Sequence, residues 1–449
     1  MTGSRLAAIL TATWVLFTGA VYLPDVGRGF IKDDFAWIAA SRGGFEQPGK
    51  LLLPPAGFFR PLVGLSFALD YRLHGLAARG YGLTNLALYA ACAAALVPLC
   101  RALKLSGVAA GVTAFVWSAN PHGINMATLW ISGRTSLLLT LFAILAAVAW
   151  LRHQRAVAAL LILASLLSKE EAMALPATLI AWRFVLPEDT RGVRPRLGDL
   201  ADWSAVILPV VAYFALRART AAYTPSTAPS FYRFTFDPES VTVNALSYVD
   251  RGATFAFAIV LVAAIVYHAR PRLTDREQRV LVAAGIWFVG GLALTVWLPV
   301  RSSLYAVLPS VGSALAAGLV ADAARCGSAA SDTRSAWLAA VLATAIVAIP
   351  IYRTRNARWV DAASVSSQTL ALLEARRDLP QHGVIVLEDE SGTRANFENA
   401  FGTLATEAIQ LATGRPLEAR IIPPGADRFQ TVGTVAAAFR VNAGRVEPR

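Results

Sequence analysis

Charge is scarce in this sequence of 449 residues: only 16% are Asp, Glu, Lys or Arg, against roughly 25% in an ordinary soluble domain. With 56% hydrophobic residues and a mean hydropathy of +0.51, that shortage excludes a disordered chain, a coiled coil and a plain cytosolic enzyme. Cysteine is nearly absent. Cys92 and Cys100 share one apolar run and Cys326 stands in a distant polar gap, so neither a disulfide framework nor a metal spacing is visible. Lysine is rare as well, because 37 of the 41 basic residues are Arg. What the chain does have is a basic excess of +12, of which +11 lies in the apolar first 352 residues. Positive charge spread among hydrophobic runs points to lipid head groups and away from nucleic acid.

Apolar segments able to cross roughly 30 Å of hydrocarbon recur through those 352 residues. The first is 6–23, taken as an uncleaved helix. Further spans are expected near 81–100, 107–127, 135–151, 156–168, 171–187, 204–218, 252–268, 281–299, 303–321 and 336–352, eleven in all. Two pieces of the stretch 24–80, near 35–40 and 62–69, are too short to span and suit amphipathic helices at the interface. With the N-terminus cytoplasmic, the short inner loops hold Arg101, Lys104, Arg152, Arg155, Arg191, Arg194, Arg196, Arg270, Arg272, Arg276, Arg279, Arg325 and Arg334. The short outer loops hold one basic residue each, Arg134, Lys169 and Arg301. The expected fold is therefore an α-helical polytopic membrane protein, residues 1–352, followed by a small extracytoplasmic α/β module, residues 353–449. In that module 383–387 and 420–422 read as strands, 360–377 and 399–413 as helices, and Glu388 to Gly392 as a solvated acidic turn.

Ionisable groups beside membrane helices are costly, so their positions are informative. Asp33-Asp34 follows the first span. Two adjacent carboxylates can supply a general base and an orienting or metal-binding partner, and they equally suit a solvated pair at a helix start. Arg60, in Phe59-Arg60-Pro61, is placed to hold a phosphate or to snorkel to the head-group level. Arg134, closing Trp130-Ile-Ser-Gly-Arg134, is a candidate for an anionic head group or a membrane-edge anchor. In Ser168-Lys169-Glu170-Glu171, Lys169 offers a point charge and Glu170 an orienting carboxylate, with an ion-paired hairpin tip as the alternative. Arg301 and Tyr305 share a helix face if a helix begins at Ser302 or earlier, the alternative being an interfacial Tyr/Arg belt. Each signal is weak alone. All fall on one outer face, as a site for a lipid-linked phosphate donor and a polar acceptor requires.

In their order along the chain these motifs resemble the C-type (GT-C) membrane glycosyltransferases, and within them the protein O-mannosyltransferase branch. The resemblance rests on Asp33-Asp34, Phe59 to Leu62, Tyr81 to Asn85, Trp130 to Arg134 with Leu137-Leu138, Leu167 to Glu170 with Pro176, and Arg301 to Tyr305 with Pro309 to Gly312. It implies inverting transfer of a mannose-like hexose or similar sugar from a polyprenyl-phosphate lipid to a hydroxyl on a protein or glycan acceptor. Asp33 would be the base and Asp34 an orienting group or, with Asp33, the ligand of a divalent cation, the one cofactor implied. Arg60, Lys169 and Arg301 would neutralise the departing phosphate. It further implies the plasma membrane, the bacterial inner membrane, with the site on the outer face. Where relatives often carry His, this chain has Gly82 and Tyr89, and Asn125 and Ser136 stand where Glu and Asp are common. The tail lacks the 34-residue repeats some relatives add. Other classes compatible with the pattern are a non-catalytic scaffold or transporter derived from such an enzyme, or a polysaccharide polymerase or ligase.

Overall fold

The structure, a computed structural model, describes residues 3–52, 57–186, 200–224, 226–267, 272–327, 332–390, 392–425 and 434–449; Arg191, Arg194, Arg196 and Arg270 lie outside them. It is mostly helical. The helices are α1 (Gly3–Tyr22), α2 (Asp33–Ser41), α3 (Pro61–His74), α4 (Ala78–Ala102), α5 (Gly107–Ser118), α6 (Gly123–Leu129), α7 (Arg134–Leu151) and α8 (Arg155–Leu166). They continue with α9 (Leu175–Val185), α10 (Leu200–Arg217), α11 (Pro238–Tyr267), α12 (Asp275–Leu292), α13 (Ser310–Gly327), α14 (Asp332–Glu374), α15 (Phe397–Phe401) and α16 (Ala405–Thr413).

Four described segments are long and apolar enough to cross a membrane: α4, Ile131–Leu151, α10 and Pro238–Val266. The eleven expected spans do not map one to one onto helices. The 107–127 run breaks after Ser118 because Pro121 offers no N–H and disfavours helical backbone before it. The 303–321 run divides at Pro309, into a 3-10 turn Ser303–Ala306 and α13. The last expected span and the first helix of the tail are one element, since α14 runs through residues 352 and 353 without interruption.

The helical body packs through bulky indoles and small residues. Trp117, Trp182 and Trp287 are fully buried, and each donates its ring N–H to a backbone carbonyl on a neighbouring segment: Val307, Ala283 and Leu308. Gly318 of α13 lets α5 come close, since a Cβ there would stand 2.2 Å from the Thr113 hydroxyl oxygen.

The C-terminal module carries a four-stranded sheet: β1 (Val384–Glu388), β2 (Glu418–Ile422), β3 (Val435–Asn442) and β4 (Arg445–Pro448), in the order β2-β1-β3-β4. β1 pairs in parallel with β2 and β3, and β4 closes antiparallel on β3. The acidic turn is less solvated than expected. Glu388 is buried and holds Arg440 and Arg449, while Asp389 accepts from the backbone N–H groups of Phe397 and Glu398.

The module shares a core with the candidate-site helices. Phe30, Phe35, Ile38, Phe67 and Tyr81 form one cluster with Leu373, Ile385, Phe397, Phe401 and Ile409. The two short apolar pieces of the 24–80 stretch are α2 and α3, held between this module and the helical body.

Candidate functional site

The acidic pair begins α2. Immediately before it, Lys32 adopts φ 47°, a left-handed conformation rare for a side chain of that size, and its N–H donates to Ala400 of the C-terminal module at 2.9 Å. The chain thus turns sharply from the buried Phe30-Ile31 into the helix, and the two aspartates face opposite ways. Asp34 is fully buried. Its Oδ2 accepts from the Ile31 N–H at 2.9 Å, and its Oδ1 from the Ser132 N–H at 2.7 Å and hydroxyl at 2.5 Å. Burial pushes its pKa up to about 6 against those hydrogen bonds. Asp33 is exposed. The surrounding protein raises its pKa, while Arg60 and Lys32 pull it back.

Arg60 directs both Nε (3.0 Å) and Nη2 (2.7 Å) to one oxygen of Glu170, and its guanidinium lies 4.3 Å from the centre of the Phe58 ring. The other Glu170 oxygen stands 3.8 Å from Arg217 at the end of α10. Burial works to raise Glu170, but the charge and hydrogen bonds of Arg60, helped by Arg217, hold its pKa below the usual range. These three residues line a cavity of about 240 Å³ together with Glu171, Tyr232 and Tyr305. Its remaining wall is largely aromatic and aliphatic, from Phe58, Tyr223, Phe234, Leu294 and Leu298, with Arg233, Thr224 and Thr295 as further polar members. Tyr223, Thr224, Ala228 and Tyr232 to Phe234 contribute to its lining, and this part of the chain is tied to two others by Tyr223 N–H to Gly57 O (2.9 Å) and Thr235 N–H to Trp297 O (2.8 Å). Gly57 needs its missing side chain, because φ is +81° and a Cβ would fall 2.3 Å from the Tyr223 ring.

The expected residues separate into those brought together and those set apart. Asp33, Arg60, Glu170 and Tyr305 converge at or beside the cavity. Asp33 lies within electrostatic reach of Arg60 and Tyr232. Lys169 lies beneath it, 4% exposed, donating to Ser136 Oγ at 2.9 Å and paired with Glu171 at 2.5 Å, its charge 4.9 Å from the Tyr305 ring. Burial lowers its pKa against the pull of Glu171. Ser136, one of the departures from the family pattern, is thus the seat of Lys169. Another, Asn125, donates to Asn356 of α14 at 2.8 Å.

Two expectations are corrected. Arg134 is fully buried and cannot meet a head group: it pairs with Asp70 at 2.6 Å and donates to Asn85 Oδ1, Ser66 Oγ and the Tyr81 carbonyl. Arg301 does not share a helix face with Tyr305, because the 3-10 turn begins only at Ser303. It is exposed and, among the described residues, has no ion-pair partner.

A divalent cation fits the acidic pair poorly. Both oxygens of Asp34 are occupied by N–H and O–H donors, leaving Asp33 as a single ligand, and no group of three or more His, Cys, Asp or Glu stands ready for a metal among the described residues. Arg217, Glu171 and Tyr232 were not singled out from sequence. The available signal was the Arg-rich stretch 219–251, which breaks the positive-inside pattern next to Arg217.

No family model matches the chain, and no curated protein does. Among solved structures it is similar to ArnT from Cupriavidus metallidurans bound to undecaprenyl phosphate, with a TM-score of 0.58 and 14% identity over 98% of this chain and 93% of that one. It also matches the Archaeoglobus fulgidus oligosaccharyltransferase tethered with an acceptor peptide, with a TM-score of 0.46 and 11% identity over 94% of this chain and 64% of that one. Both neighbours are GT-C glycosyltransferases. At 14% identity the ArnT likeness is one of fold alone.

Proposed function

We propose that this protein transfers a sugar from a polyprenyl-phosphate donor to an acceptor hydroxyl, with inversion, in the cavity beside Asp33. The observation that carries the reading is the exposed Asp33 carboxylate set next to Arg60, itself one of two arginines sharing the single carboxylate of Glu170. An undecaprenyl phosphate bound by a protein of the same fold supports a lipid-phosphate donor.

Asp33 takes the proton as the acceptor oxygen attacks the anomeric carbon from the side opposite the phosphate, and its raised pKa improves it as a base. The phosphate oxygen leaves as negative charge grows on it. Arg60 and Arg217 meet that charge, because Glu170 neutralises only one of them. Lys169 supports the site from below by fixing Glu171 and the Tyr305 ring. The apolar wall from Phe58 to Leu298 receives the first units of the lipid. A mannose-like hexose as the sugar, a protein or glycan as acceptor, and an extracytoplasmic site with a cytoplasmic N-terminus are the finer parts of this reading, supported by the motif resemblance and the charge pattern.

Replacing Asp33 with Asn tests it. The purified variant should fold and bind a polyprenyl-phosphate sugar yet transfer none to acceptor, measured with a radiolabelled donor; unchanged transfer would refute the assignment.

A further inference from the structure

A second basic cavity lies where α1 leaves the helical body. It has a volume of about 350 Å³, with Asp25, Arg28 and Arg79 on its walls beside apolar Leu23, Pro24 and Val360. Arg28 is the anomaly. Its Nε, Nη1 and Nη2 are all buried, and none has a hydrogen-bond partner. No ion pair reaches it among the described residues. A guanidinium left in this condition is costly, since it has lost water and gained nothing. Burial brings its pKa down to about 10, against the opposing fields of Asp34 and Asp25, so it stays charged at neutral pH.

The nearby acids are already committed. Asp34 accepts from Ile31 and Ser132. Asp25 accepts from Asn356 Nδ2 at 2.8 Å and pairs with Arg353 at 3.5 Å. Arg79, in the first turn of α4, is exposed and likewise has no ion-pair partner among the described residues, and its stem lies against Gly27. Two arginines therefore face one cavity, and its one acidic wall residue, Asp25, turns Oδ2 to Asn356 and Arg353 and makes no ion pair with Arg28 or Arg79.

We propose that this cavity is an anion site which binds a phosphate group between Arg28 and Arg79. Planar guanidinium forks match phosphate oxygens in geometry and charge. Arg28 is a wall residue of the cavity, and no hydrogen bond holds its three side-chain nitrogens away from a bound anion. The apolar side of the cavity suits a phosphate carried by a lipid, and its volume also admits free phosphate. Occupancy would give the Arg28 nitrogens the hydrogen-bond partners they lack, so the ligand would stabilise the fold by mass action.

The test is thermal unfolding of the full chain. In detergent, inorganic phosphate is titrated against chloride at matched ionic strength. In nanodiscs, phosphatidylcholine alone is compared with phosphatidylcholine mixed with phosphatidylglycerol. A saturable rise in midpoint is expected in one arm. A rise with inorganic phosphate identifies the free anion, and a rise confined to phosphatidylglycerol identifies the head group. Arg28→Gln and Arg79→Gln should each weaken the response about tenfold or more. Without ligand, Arg28→Gln should be no less stable than the parent, because it removes a buried charge that has no partner. If that variant fails to fold, the exposed Arg79→Gln still decides. No rise in either arm, or an undiminished rise in Arg79→Gln, overturns the site.

Discussion

Arg134 with Asp70 and Arg60 with Glu170 are the same chemical pair at nearly the same separation, 2.6 Å and 2.7 Å. Their surroundings differ. Arg134 and Asp70 are 0% and 3% exposed, the guanidinium lies over Phe67, and Nε, Nη1 and Nη2 each donate further, to Asn85, Ser66 and the Tyr81 carbonyl. Arg60 and Glu170 are 13% and 28% exposed, on the wall of a cavity, with Arg217 competing for the same carboxylate. The first pair is enclosed; the second has charge to spare. Of these two arginines, the enclosed one is an anchor, and the one on a cavity wall with a shared carboxylate is the candidate ligand site.

Three changes sharpen this contrast. The largest effect is expected from Arg134→Ala, which strands Asp70 in the interior and should cost about 3–5 kcal/mol of stability, read as loss of folded protein in thermal unfolding. Arg60→Gln should leave stability within about 1 kcal/mol, as for a partly exposed pair, but slow transfer about 100-fold, read in single-turnover kinetics with saturating donor. If the two variants exchange phenotypes, the division is wrong. The smallest effect concerns pH. Asp34 has a folded-state pKa raised to about 6, so the folded state binds the proton more tightly than the unfolded chain. Its contribution favours folding at low pH and is lost as pH rises through 6. Stability should increase by about 1 kcal/mol between pH 7 and pH 5, and Asp34→Asn should flatten that slope. Transfer should respond in the opposite sense, falling as acid protonates Asp33.

The helix starts were legible because their signals are local. Asp at the first positions of α2 and Pro at the start of α3 both declare an N-terminus within one turn. Which aspartate faces inward was not legible, since adjacent positions look alike and the deciding donor, Ser132, is 98 residues away. Arg217 escaped for a similar reason: ending an apolar helix with Arg is ordinary, and only the approach of α10 to Glu170 makes it part of a site. The strand β3 was missed because its alanines have little strand propensity and form a strand only where β1 presents an unpaired edge. The seat of Lys169 was hidden because Ser136 stood out only as a departure from a family pattern, while its partner sits 33 residues on.

The unbroken α14 has a mechanical consequence. Its 43 residues, with Pro350 inside, have a helical contour of roughly 65 Å, more than twice the hydrocarbon thickness of a bilayer. The module at its far end, whose Ala400 carbonyl holds the turn at Lys32, is therefore set in angle as well as in height. Adding one residue to the helix would swing everything beyond it by roughly 100° and lift it about 1.5 Å. The turn that presents Asp33 is, in that sense, geared to the helix that carries the module.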